Sequence, residues 1–214
     1  MKILVTGFDP FGGEPVNPAY EAVQRLPETI AGAEILKLEL PTAFARSVQV
    51  LEGAIRDHAP DAVVSIGQAG GRACVTPEAV AINLAEASIP DNDGFQPAAQ
   101  PLVPEGPAAY FSTLPVRAMA ARAREHGIPC RLSYSAGTYV CNCVMYQALY
   151  LAATKYPGLR AGFIHVPYSL EQAASKPAGT PCASLDTITQ ALVYALEAIA
   201  LGCGDAAGSE GSTH

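Results

Sequence analysis

Apolar residues along this chain fall into short unbroken runs separated by longer amphipathic stretches. Lys2–Val5 is an aliphatic run closed by Gly7, which predicts a buried strand. The loop Phe8-Asp9-Pro10-Phe11-Gly12-Gly13 follows. A helix starts near Pro18, with Asn17 at the N-cap and proline at the first helical position, and ends near Arg25–Leu26 before Pro27. Ala33–Glu39 reads as a second strand, and Thr42 as the cap of a helix running to about His58. Asp61–Ile66 is a third strand, closed by the loop Gly67-Gln68-Ala69-Gly70-Gly71-Arg72. Glu78–Leu84 alternates weakly and is expected as a strand. The Pro/Gly/Asp-rich stretch from Ile89 to Pro107 is long for a compact domain, which points to a functional loop or a folded-back hairpin. A helix over Pro115–His126, a strand over Pro129–Tyr134, a helix over Gly137–Thr154, a strand over Gly162–Val166 and a last amphipathic helix over Leu185–Leu201 complete the pattern.

Strands alternate with helices through most of the chain. That order predicts an α/β fold with a central, mostly parallel sheet and helices on both faces. Active sites in such sheets lie beyond the carboxyl ends of the strands. Those ends here carry the Phe8–Gly13 loop, the Gln68–Arg72 loop, the Ser135–Cys141 segment and His165. Without an internal repeat or linker, residues 1–201 are expected as one catalytic domain, and the Gly/Ser-rich residues 202–214 as a mobile tail.

Composition narrows the function. Half of the 214 residues are apolar and 15% are charged, a low fraction that suggests some apolar surface buried between subunits. A net charge of −7 without a basic run argues against nucleic acid or anionic membrane as partner. No run approaches the ~20 apolar residues of a membrane span, and Met1–Val5 reaches Gly7 too soon for a signal peptide. A cytoplasmic protein with reduced cysteines is the expectation.

Three residues stand at positions suited to acyl transfer. Cys141 is placed in the first turn of a helix, where the dipole and unsatisfied N–H groups are expected to lower a thiol pKa from ~8.5 and to stabilise an oxyanion. His165 ends an apolar strand before Pro167, whereas His58 and His126 look like helix-end surface residues and His214 is in the tail. Glu78 is expected at a strand start, where it can hydrogen-bond the imidazole and fix its tautomer. Taken singly, each also reads as an ordinary structural residue. Their joint placement at strand and helix ends favours chemistry.

The segments Thr6–Gly13, Asn17-Pro18, Gly67–Arg72, Val80–Asn83, Ile89–Asn92, Ala109–Pro115, Ala136–Asn142 and Phe163–Pro167 together resemble the pyroglutamyl peptidase I family, also called pyrrolidone-carboxylate peptidases. The resemblance runs from residue 1 to about 200. It implies an α/β/α sandwich, a catalytic Glu78/Cys141/His165 triad without cofactor or metal, and commonly a homotetramer. The implied partners are peptides with an N-terminal pyroglutamate. Phe8 and Phe11 are implied as walls of the ring pocket, with Val140 beside the nucleophile. Gln68 offers the lactam both a donor and an acceptor, and Asn17 and Arg72 are further pocket candidates. Phe8 and Phe11 read equally as core aromatics, Gln68 as a loop-stabilising amide, and Asn17 as only a helix cap. Ala79 and Ser88 stand where many bacterial relatives carry arginine, and Arg72 is the residue expected to compensate.

Other readings remain open at this point. The missing arginines allow a pyroglutamyl-binding homologue with weakened catalysis. The fold type allows a nucleoside-phosphorylase-like enzyme, although no phosphate site is evident. A metal site from Cys141, Cys143 and His165 fits poorly, because residues two apart on a helix diverge.

Overall fold

The computed structural model describes residues 1–205. Its centre is a six-stranded sheet in the order β2-β3-β1-β4-β8-β5. The inner strands β3 (Ala33–Leu40), β1 (Lys2–Phe8), β4 (Ala62–Gln68) and β8 (Arg160–Val166) run parallel. The short edge strands β2 (Thr29–Ile30) and β5 (Thr76–Glu78) are antiparallel to their neighbours. The chain winds outward from β1 to β3 and then crosses to β4 on the other side. The reversal opens a crevice at the carboxyl ends of β1, β4 and β8, as in other doubly wound sheets.

Alternation along each strand divides the core in two. Ile3, Val5, Val64, Ile66, Ile164 and Val166 face one apolar layer, and Leu4, Val63, Ala161 and Phe163 face the other. The first layer is closed by helices α1 (Pro18–Gln24), α3 (Val116–Glu125) and α6 (Leu185–Ala200). The second is closed by α2 (Phe44–His58) and α4 (Val140–Thr154). The three-layer α/β/α arrangement expected from the pattern is what forms. No helix of the described residues is long and apolar enough to cross a membrane.

Local chemistry explains most element ends. Asn17 Oδ1 accepts from Ala19 N–H at the start of α1, followed by Pro18 as expected. Ser184 caps α6 by accepting from Thr187 N–H. Helix α2 differs from expectation. Thr42 lies one residue before the N-cap, Ala43, and its hydroxyl donates to Asp9 O. The cap comes instead from Asp91, 47 residues on: its Oδ2 accepts from Phe44 N–H at 2.9 Å, while its Oδ1 accepts from Asp93 and Phe95 N–H. Asp91 is buried, and it ties the 88–95 loop to the start of α2. Asn92 Nδ2 extends the clamp to Asp9 Oδ1 and Pro10 O.

Three expected elements change. The strand expected over Glu78–Leu84 splits after Glu78. Its first part ends β5, and β6 (Val80–Ile82) pairs instead with β7 (Ala109–Phe111) in a separate ribbon. Asn142 on α4 pins that ribbon: its Oδ1 accepts from Ile82 N–H, and its Nδ2 donates to the carbonyls of Ile82 and Leu84. The strand expected over Pro129–Tyr134 is reduced to isolated bridges, Val75 with Cys130 and Glu78 with Ser133. Helix α4 begins at Val140 rather than Gly137, because Gly137 has a φ of +78°. The β9 (Tyr168–Ser169), α5 (Leu170–Ala173) and β10 (Cys182–Ala183) elements lie in a segment without a clear periodic pattern. Of the expected tail, Cys203 N–H donates to Ala198 O and Asp205 Oδ1 accepts from Arg117 N–H. Residues 206–214 lie outside the described residues.

Asp91→Ala leaves three N–H groups without their acceptor and is expected to lower unfolding free energy by about 2 kcal/mol, the upper end for a lost cap. Urea denaturation of the variant against the parent chain measures this, and an unchanged midpoint would show that Asp91 does not hold α2.

Candidate active site

The site forms where β4 and β8 end. Gly67 on β4 and Thr76 on β5 are the register partners of His165, one on each side of β8. One row back, Ser65 and Glu78 flank Phe163 in the same way. Register partners, and residues two apart on a strand, share a face. Thr76, Glu78, Phe163 and His165 therefore all lie on the side of the sheet that α4 covers.

Glu78 Oε1 is 2.7 Å from His165 Nδ1 and 2.6 Å from Arg72 Nη1. The glutamate is 0% exposed and the histidine 4%. A carboxylate only accepts, so Nδ1 carries the proton and Nε2 is left as the free base position. Arg72 also donates to Thr76 Oγ1 and, at 2.9 Å, to the carbonyl of Ser135. The buried carboxylate thus has a cation in direct contact, as buried charge requires. Its second oxygen, Oε2, has no partner among the described residues.

Cys141 is the second residue of α4, after the N-cap Tyr139. The starts of α1, α5 and α6 are closed by side-chain oxygens of Asn17, Ser169 and Ser184, and that of α2 by Asp91. Among the described residues, the start of α4 receives no side-chain oxygen. Its leading N–H groups lie beside the thiol, that of Cys141 directed at the sulfur, where an oxyanion could use them. What lets the thiol approach the sheet is the missing side chain at Gly67. A Cβ there would lie 2.7 Å from Cys141 Sγ and 2.7 Å from the Phe163 ring. The thiol thus occupies the space over Gly67, the register partner of His165. Below it, the Phe163 ring packs 4.8 Å from the imidazole and 6.2 Å from Phe8, centroid to centroid.

Electrostatics corrects one expectation. The helix-start position predicts a lowered thiol pKa. Instead, loss of water and then the Glu78 charge push Cys141 up to about 12, against smaller lowering by Arg72 and a backbone N–H. Burial also lowers His165, outweighing the pull of Glu78 in the other direction. Both shifts favour a thiol beside a neutral imidazole over a preformed ion pair.

The remaining sequence candidates divide. Phe11 is half-buried against Tyr139, at 6.1 Å between ring centroids, on the loop after β1. Gln68, at the end of β4, is also half-buried and accepts a hydrogen bond from Gln172 Nε2. Phe8 and Val140 are buried in the layer between the sheet and α4. Asn17 caps α1 and donates to Asp9 O, the cap role read in the sequence. Arg72 commits its N–H groups to Glu78, Thr76 and Ser135. Ala79 is buried and Ser88 exposed. Cys143 is buried against α2, with Sγ 3.8 Å from Phe44 O, and burial raises its thiol to about 12.

Sequence reasoning passed over Gly67, Phe163, Thr76 and Tyr139 as parts of the site. Gly67, Phe163 and Tyr139 lie within the segments that carry the resemblance, and Gly67 also stands near the end of a buried strand. Thr76 is defined by register.

The profile of the pyroglutamyl peptidase family matches residues 1–201. The chain belongs to that family. Among its relatives, pyrrolidone-carboxylate peptidase of Enterococcus faecalis is 53% identical over 214 residues, all of both chains. That of Levilactobacillus brevis is 53% identical over 205 residues, 96% of this chain and 100% of the relative. Pyroglutamyl peptidase I of Bacillus amyloliquefaciens superposes with a TM-score of 0.93 at 45% identity, covering 97% of this chain and 99% of that one. A mutant pyrrolidone carboxyl peptidase of Pyrococcus furiosus gives 0.90 at 41% identity, over 94% and 99%.

If family chemistry runs through this thiol, its seat over Gly67 must be exact to a fraction of an ångström. Gly67→Ala is expected to displace Sγ and lower kcat/KM on a pyroglutamyl amide at least about a hundredfold, with a stability loss of only about 1–3 kcal/mol from overpacking. Kinetics and thermal melting of the same sample separate the two, and near-parent turnover would show that the thiol does not depend on this gap.

Proposed function

We infer that Glu78, His165 and Cys141 are the catalytic groups of a cysteine exopeptidase that hydrolyses the N-terminal pyroglutamyl residue from peptides. The activity is that of the family. The observation that supports the residue roles is the bond from His165 Nδ1 to the buried Glu78, on the strand beside the glycine over which the Cys141 thiol is seated.

The chemistry follows from the resting protonation. His165 Nε2 takes the thiol proton as Cys141 Sγ bonds to the pyroglutamyl carbonyl carbon, so the charged pair exists only during attack. Glu78 stabilises the imidazolium formed in that step. The leading N–H groups of α4 receive the oxyanion, each good donor contributing about 3–4 kcal/mol. Collapse breaks the C–N bond, and His165 returns its proton to the leaving amine. Water then gives a proton to His165 and hydroxide to the thioester carbon, which releases pyroglutamic acid and restores the thiol. Desolvation keeps the waiting thiol protonated, and general-base catalysis offsets that cost when substrate is aligned.

The lactam is neutral and flat and has no free amine. Phe11 and Gln68, half-buried at the ends of β1 and β4, are assigned to its ring and amide, with Phe8 and Val140 supporting the wall from within. A pocket closed behind the ring admits only a chain terminus. The six free cysteines suit a reducing compartment, and a cytoplasmic homotetramer belongs to the same proposal. Exposed Phe111 and Ile82 on the β6–β7 ribbon offer apolar surface for contact between copies, which sedimentation of the full chain reads.

With a pyroglutamyl fluorogenic amide, Cys141→Ala is expected to remove nearly all turnover, while Cys143→Ser retains most of it. The opposite ranking would move the nucleophile to Cys143 and overturn the assignment.

A further inference from the structure

We propose that Arg72 is a positioning residue that sets the proton affinity of the His165 base through the Glu78 oxygen the two share. The inference rests on His165 being the base. It extends that reading to a residue that does not touch the reacting atoms.

The geometry is specific. The Arg72 guanidinium and the His165 imidazole approach the same oxygen, Glu78 Oε1, at 2.6 and 2.7 Å, although Oε2 of the same carboxylate stands unpartnered among the described residues. Two donors on one oxygen compete for its charge, so each bond is weaker than it would be alone. The guanidinium cannot easily swing away, because Thr76 Oγ1 and the Ser135 carbonyl hold its other N–H groups. Thr76 is also the register partner of His165, so anchor and base share one row of the sheet. Water does not screen the arrangement at the carboxylate, which is wholly buried, while the Arg72 side chain is 28% exposed.

Among the described residues, the charged and titratable groups around His165 are few. Glu78 comes from β5, Arg72 from the loop before it, and Cys141 from α4, while β4 presents only Gly67 at this level. A positive charge fixed on Glu78 opposes a second positive charge on the imidazole. Burial is the largest influence lowering His165, Glu78 acts in the raising direction, and Arg72 lowers it again. The effect is useful because the base must be neutral to accept the thiol proton. By holding the imidazolium down, Arg72 keeps the base available as pH falls.

The sign follows directly. Removing the guanidinium deletes a positive charge and frees Oε1 for the imidazolium, so protonated His165 becomes easier to form. The neutral base is then lost at a higher pH on acidification, and the acid limb of kcat/KM moves up.

The test compares pH profiles of kcat/KM for the full chain, Arg72→Met, Arg72→Gln and Arg72→Lys on a pyroglutamyl amide. The parent limb is expected below the ordinary histidine value of about 6.5. For Arg72→Met and Arg72→Gln it moves up by about one unit. Activity on the acid limb then falls about tenfold while the alkaline plateau stays within a few-fold. Arg72→Lys restores most of the limb position. Arg72→Gln keeps a donor for Glu78 and carries the test if Arg72→Met does not fold. A second reading needs no turnover: the His165 ring, followed by NMR in full-length Cys141→Ala, titrates about one unit higher when Arg72→Gln is added. A fall in kcat/KM by one factor at every pH, a rise in KM with the limb fixed, or an unmoved ring titration each overturns the proposal. A parent chain without turnover, but with the expected ring shift, would instead defeat the peptidase assignment and leave Arg72's role standing.

Discussion

The structure of the site depends on one constraint: a carboxylate, Glu78, is buried completely, and everything around it must answer its charge. An unpaired buried carboxylate is too costly to persist. Two cationic or proton-donating groups meet it on one oxygen, the His165 ring and the Arg72 guanidinium. Satisfying the first fixes the tautomer of the imidazole and leaves Nε2 without a proton. Satisfying the second fixes the Gly-Gly-Arg loop against β5 and the Ser135 segment. The same loop runs on from β4, the strand whose last turn of register brings Gly67 beside His165. Charge neutralisation and chain path are one requirement here.

Desolvation also bears on the thiol, although the Cys141 side chain is only half-buried. A helix N-terminus alone favours a thiolate, and at Cys141 that influence is present but outweighed. Loss of water and the nearby Glu78 charge are the larger influences, and both favour the neutral thiol. A site of this kind is quiet until a carbonyl is placed against it.

Much of this was legible in the residues. The aliphatic runs at Lys2–Val5, Asp61–Ile66 and Gly162–Val166 read as strands because a strand buried on both faces has no polar interruption. The capped helix at Asn17-Pro18 and the amphipathic helix over Leu185–Leu201 were equally plain. What the linear pattern hid were interactions between distant segments. Nothing near Thr42 shows that α2 takes its cap from Asp91. Nothing at Glu78–Leu84 shows that the chain changes sheets after Glu78, because both halves alternate alike and the switch is enforced by Asn142 from α4. Arg72 was visible as a cation in a glycine loop. Its partner was not, because the pairing requires β5 to lie antiparallel on β8.

That antiparallel edge strand explains why the site sits at this end of the sheet. A parallel β5 would need a long crossover, and its residues would reach the row of His165 only after a second helix. The short reversal from the β4 loop instead delivers Arg72, Thr76 and Glu78 within seven consecutive residues, from Arg72 to Glu78, to adjacent rows on one face. Glu78 and Arg72 are therefore held by one edge segment against β8, which carries His165, while Cys141 arrives separately on α4. The two bodies meet where the Cys141 thiol and the Phe163 ring fill the space left by the missing side chain at Gly67, and the Glu78 and Arg72 charges reach the thiol across that junction. The seat of the thiol thus rests on packing between helix and sheet, and the proton affinity of the imidazole on the charge balance among Arg72, Glu78 and His165.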